Sequence, residues 1–156
     1  MSTGANSDRN QAATDAAALV AAGATAVLGT LDRQSGTPYA SLVTVATGPD
    51  RAPLMLLSGL AMHTRNLIAD PRASLLFSAD FGAADPLTLP RVTLLGSLAP
   101  TANAAARSVF LARHPAAAAY ADFGDFEFYR LKVERAHFIG GFGRIVELSA
   151  SELLGP

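Results

Sequence analysis

The sequence contains no cysteine. That absence excludes disulfides, cysteine–zinc sites, thiol nucleophiles and iron–sulfur clusters. No apolar run approaches the ~18–20 residues of a membrane-spanning helix, so no membrane span is expected. The opening "MSTGANSDRNQ" lacks a basic start followed by an apolar stretch, and a secretory leader is not expected either. A cytoplasmic location is the resulting expectation. Basic runs are missing, and the net charge is −1, which argues against a nucleic-acid binder that works by bulk electrostatics. There is no G-x-S-x-G, P-loop, H-E-x-x-H or G-x-G-x-x-G motif. An enzyme on this sequence would therefore draw its hard chemistry from an external cofactor.

What is present is enough for one globular core: 156 residues, 50% of them apolar, though alanine inflates that share. Residues 1–10 are small, polar and patternless and read as a disordered tail. Residues 11–150 read as a single domain and 151–156 as a C-terminal tail. A helix is expected over 11–22, ended by Gly23. "TAVLGTLD" (25–32) and "PYASLVTVAT" (38–47) read as a hairpin around "RQSG". "LMLLS" (54–58) is a short apolar strand with both faces buried. A helix over 62–70 must stop at Asp70, because Pro71 disfavours helical geometry just before it. Strands are expected over 72–79 and 91–100, a helix over 103–113 stopped by "HP", and a short helix over 116–121. Two further strands fill 126–148. About seven strands and three helices, mostly joined by short turns, predict a mainly β fold: an antiparallel barrel with peripheral helices.

Four stretches carry groups that could do chemistry. "LSGLAMHTRNLIADPR" (57–72) places Ser58, His63, Thr64, Arg65 and Asn66 around a helix start, where unpaired N–H groups and the helix dipole favour an anion. Ordinary capping explains the same residues. Arg91 opens a strand and could offer a forked donor to a phosphate. "AHFIGGFGR" (136–144) holds three glycines, which fit either a bulge or the close approach of a planar ligand. His137 reads there as a packing residue rather than a metal ligand, and the three histidines lack metal-ligand spacing. "FGDFEFYR" (123–130) reads as core aromatics beside a solvated acidic edge.

In combination and order, "LSGLAMHTRNLIADPR", "RVTLLGSLAP" and "FGDFEFYRLKVERAHFIGGFGRIVEL" resemble the pyridoxamine 5′-phosphate oxidase-like FMN-binding split barrels, nearest the haem-utilisation (HugZ-like) branch. The resemblance covers about residues 15–150. It implies an antiparallel FMN-binding split β-barrel, assembled as a homodimer with FMN at the interface. It also implies that Ser58, His63, Thr64 and Asn66 hold the flavin phosphate. Arg91 would reach the same region, and Ser41 and Leu42 would contact the flavin. The implied activity is an FMN-dependent oxidoreductase of unknown substrate. A haem-binding or haem-degrading protein on the same scaffold, or a non-catalytic flavin module, are the alternatives. Only Arg144 follows "GGFG", short of the arginine-rich motif of true vitamin B6 oxidases, and no histidine follows His137.

Overall fold

The computed structural model describes residues 2–79, 82 and 84–156. In chain order the elements are α1 (Ser2–Ala22), β1 (Thr25–Leu31), β2 (Pro38–Thr44), β3 (Ala46–Thr47), β4 (Pro53–Ser58), α2 (Met62–Ala69), β5 (Arg72–Ser78), β6 (Arg91–Pro100), α3 (Ala104–Arg113), β7 (Phe126–Ile139), β8 (Ile145–Ser149) and α4 (Ala150–Leu154). Short 3₁₀ turns cover Pro86–Thr88 and Pro115–Ala119. All pairings are antiparallel, in the order β2-β1-β5-β6-β7-β4-β3, with β8 added to β7. This is a split β-barrel with helices at its margins, as the turn-linked strands predict.

Alternation builds the interior. Ala26 and Leu28 of β1, Leu75 and Phe77 of β5, Val92 and Leu94 of β6, and Tyr129, Leu131, Ala136 and Phe138 of β7 point into one core. α1 closes that core with Ala12, Ala16 and Val20, spaced four apart and therefore on one helical stripe. β4 is buried on both faces, as its continuous apolar run predicts. Met55 and Leu57 face the main core, while Leu54 and Leu56 face a second cluster under α3 with Phe110 and Ala106.

β7 runs the full length of β6, but the register shifts between Leu95 and Gly96, so Leu95 pairs with Arg135 and Gly96 with Val133. Glu134 is the extra residue of a β-bulge. Gly96 is required there: a Cβ would stand 1.9 Å from the Lys132 carbonyl oxygen.

Both ends of the chain differ from the sequence expectation. The first helix begins at Ser2, not near Gln11, and 150–154 is a helix rather than a tail. Long-range contacts order these ends. Arg9 pairs with the Glu152 carboxylate and donates to the Glu147 carbonyl oxygen at 2.8 Å. Arg144 donates to Asp15 Oδ2 at 3.1 Å and to the Asp8 carbonyl oxygen. α4 is fixed by a capping box between Ser149 and Glu152.

Candidate functional site

Two places bear on function. The first is the helix start that the sequence marks. β4 delivers Ser58 to the end of the barrel, and α2 begins after Ala61, which supplies no side-chain cap. The polar groups gathered here are spent largely on the protein itself. Ser58 donates its hydroxyl to Asp125 Oδ2 at 2.7 Å and accepts from the Leu60 N–H. Asn66 is fully buried: its Nδ2 donates to Thr30 Oγ1 and its Oδ1 accepts from the Arg33 N–H, both at 3.1 Å. Thr64 is 2% exposed and its buried hydroxyl has no hydrogen-bond partner among the described residues. His63 Nδ1 lies 3.0 Å from Ser41 Oγ, and burial pushes the imidazole pKa below its ordinary value. Arg65 faces solvent. Arg91 does not reach this region with a recorded contact; its guanidinium caps the carbonyls of Leu87 and Leu89.

Of the predicted site residues, then, the fold brings Ser41 and His63 together. It turns Asn66 and Thr64 inward and binds Ser58 to an acid. Asp125 sets a carboxylate where the sequence reading expects a phosphate.

The second place is the outer face of the sheet. One cross-strand row runs Leu42–Val27–Leu76–Thr93–His137–Glu147 over six strands. The neighbouring row runs Ala40–Gly29–Ser74–Leu95–Arg135–Ser149. The left part of this face is apolar or small, and Leu42 is 75% exposed. A groove of about 260 Å³ lies on it, lined among others by Gly29, Leu31, Pro38, Ser74 and Leu95. Gly29 lets Ser74 pack directly over β1, since a Cβ there would meet Ser74 Oγ at 2.4 Å.

At the other end of the row, His137 Nδ1 is hydrogen-bonded to Glu147 Oε1, and Arg135 Nη1 stands 3.4 Å from Glu147 Oε2. The His137 bond, foremost, holds the Glu147 carboxyl below the usual carboxylate range. The sequence reading takes His137 as packing; the structure leaves its side chain 37% exposed. Its partner is ten residues away, and the signal that could have found it is the hairpin symmetry about "GGFG", which pairs 137 with 147.

Residues 7–154 match the family model described as CREG, beta-barrel. The non-canonical heme oxygenase HOZ, chloroplastic, of Arabidopsis thaliana is 37% identical over 112 residues, which are 70% of this chain and 34% of that protein. The chain thus spans about a third of that curated relative. A heme binding protein from Mycobacterium smegmatis has a structure with a TM-score of 0.85 at 37% identity, covering 92% of this chain and 60% of that one. HutZ from Vibrio cholerae, described as a heme storage protein, has a TM-score of 0.67 at 21% identity over 80% of this chain and 90% of that one, a likeness of fold.

These findings overturn the expectation of FMN as cofactor. The named relatives are haem proteins; beside the helix start meant for the flavin phosphate, Ser58 is bonded to Asp125, and the buried Asn66 has both its polar atoms bonded within the protein. Among the described residues no helix is long and apolar enough to cross a membrane.

Proposed function

The chain belongs to the CREG β-barrel family, and from that premise we propose that it binds haem, as a member of the haem-utilising split barrels. The observation that carries this reading is the identity of 37% to a haem oxygenase and, separately, to a heme binding protein across nearly the whole chain.

The outer sheet face fits such a ligand. A planar macrocycle needs an apolar slab and a nitrogen donor. Leu42, Val27, Leu76 and Leu95 supply the slab, and the groove on it is edged by Arg72. His137 supplies a nitrogen at the edge of the same face. Bound haem would contribute a redox-active iron; the chain's own part is to cover, orient and ligate it.

The homodimer remains part of the proposal. An exposed strip that includes Leu42, with Val27 and Leu76 beside it, suits a second copy lying over the ligand. Sedimentation of the loaded protein checks it, and a monomer at all loadings would remove this part.

The decisive experiment is titration of the purified protein with haemin, followed in the Soret region. A saturable red-shifted band at a fixed stoichiometry is expected. A spectrum identical to free haemin would refute the reading. Adding an electron donor to the complex then separates storage, in which the band persists, from degradation, in which it decays.

A further inference from the structure

We infer that the trench between α1 and α4 is a binding site for a medium-chain carboxylate, and that Arg51 holds the head group. The site shares no lining residue with the groove on the outer sheet face, so it stands apart from the haem reading.

The trench follows from the alanines of α1. Ala13, Ala17 and Ala21 recur every four residues and so stand on one side of the helix, beside the stripe that closes the core. Methyl groups this short leave space against α4. The result is a cavity of about 250 Å³, walled by Ala17, Val20 and Ala21 of α1 and by Leu153 and Leu154 of α4. Val20 and Leu153 are almost fully buried. At ~30 Å³ for a water-sized group, the cavity holds about eight such groups, which suits a short alkyl chain.

Polar groups are confined to one end. Thr47 and Arg51 are the polar residues of the lining. Thr47 donates its hydroxyl to the Val20 carbonyl at 3.3 Å. The Arg51 guanidinium has neither an ion pair nor a hydrogen bond among the described residues. Two acids line the open depressions that adjoin it, Asp50 and Glu152, and both are engaged elsewhere. Asp50 accepts from Arg130 Nε at 2.7 Å, and Glu152 pairs with Arg9. A free cation thus stands at the mouth of an apolar cavity.

The backbone singles out the same residue. Arg51 has a φ of 66°, in the left-handed region, and among the described residues it is the one non-glycine residue there. Its N–H donates to the Gly48 carbonyl at 2.9 Å and closes the turn. Glycine takes that conformation without strain, so the turn itself has no need of an arginine. What the position supplies is the guanidinium, whose fork matches the two oxygens of a carboxylate.

The test titrates octanoate into the full chain at neutral pH by calorimetry, with hexanoate and octanol as comparators. Saturable one-to-one binding with a Kd below about 1 mM is expected. Hexanoate, two methylenes shorter, should bind about sixteenfold more weakly. Octanol lacks the charge and should bind about tenfold more weakly. Arg51→Gly should raise the octanoate Kd about tenfold or more, with the thermal midpoint of the free protein unchanged or higher, because it relieves the left-handed strain. Arg51→Asn tolerates the same φ and should behave alike. Ala21→Leu fills the trench and should abolish binding with the circular dichroism spectrum intact. Absence of saturable octanoate binding, equal affinity for octanol, or wild-type affinity in Arg51→Gly would overturn the proposal. So would a lowered midpoint in both Arg51 variants, which would make the arginine a structural part of the turn.

Discussion

Asn66 sits in the middle of the stretch that the sequence marks for anion binding, yet the structure makes it a staple between α2 and the first hairpin. Replacing it with alanine tests which role is real. The substitution removes two hydrogen bonds of 3.1 Å from a side chain that is 0% exposed. Thr30, itself 4% exposed, is left with a hydroxyl that has lost its donor, at a cost of about 1–3 kcal/mol. The Arg33 N–H lies in a more open turn and adds about 0.5–1.5 kcal/mol. The expected loss is therefore about 2–4 kcal/mol. With a urea m-value of about 2 kcal/mol/M, the unfolding midpoint falls by about 1–2 M with the slope unchanged. Arg65→Ala, on the exposed side of the same turn, is the control and should stay within about 0.5 kcal/mol. If the Asn66→Ala midpoint moves no more than that of Arg65→Ala, the stapling argument is wrong.

Thr64→Val replaces a buried, unpartnered hydroxyl by a methyl of the same shape and should be neutral or stabilising by about 1 kcal/mol in the same urea assay; a loss would mean the hydroxyl has a partner. Gly96→Ala drives a Cβ against the Lys132 carbonyl and should cost about 1–3 kcal/mol, at the upper end because the neighbour is backbone; an unchanged melting curve would contradict the close approach. Glu152 is held at a pKa of about 2, chiefly by the Arg9 hydrogen bond, against an ordinary 4.5. Because its pKa is lower in the folded state, its contribution is complete above pH 4.5 and disappears as the pH falls towards 2. Glu152→Gln should therefore flatten the acid-unfolding curve across that window, and parallel curves for the two proteins would contradict it.

The strands were legible because each carries its own signal. β4 reads as an uninterrupted apolar run, β6 starts at Arg91 as expected, and α2 ends before Pro71. What escaped was everything joined over long sequence distance. The start of α1 depends on Arg9 meeting Glu152 and Arg144 meeting Asp15, pairs 143 and 129 residues apart. At the candidate site the partners of the marked side chains escaped in the same way. Ser58 and Asn66 have the residue types of an anion cup, but Asp125 lies 67 residues from Ser58 and Thr30 lies 36 from Asn66, and those partners decide what each side chain does. The resemblance identified the fold and the haem-utilising branch, whereas its cofactor did not carry over.

The bulge at Glu134 has a consequence for the grammar of β7. Before it, odd-numbered residues point inward (Tyr129, Leu131, Val133); after it, even-numbered ones do (Ala136, Phe138). The strand thus carries two messages of opposite parity, and strict alternation continued from Tyr129 would bury His137. One surplus residue brings that imidazole out to the groove side. It also marks where the strand can change length. Deleting Glu134 preserves the parity of both halves relative to the sheet, whereas deleting any other single residue from Tyr129 to Phe138 while the bulge persists turns one half inside out.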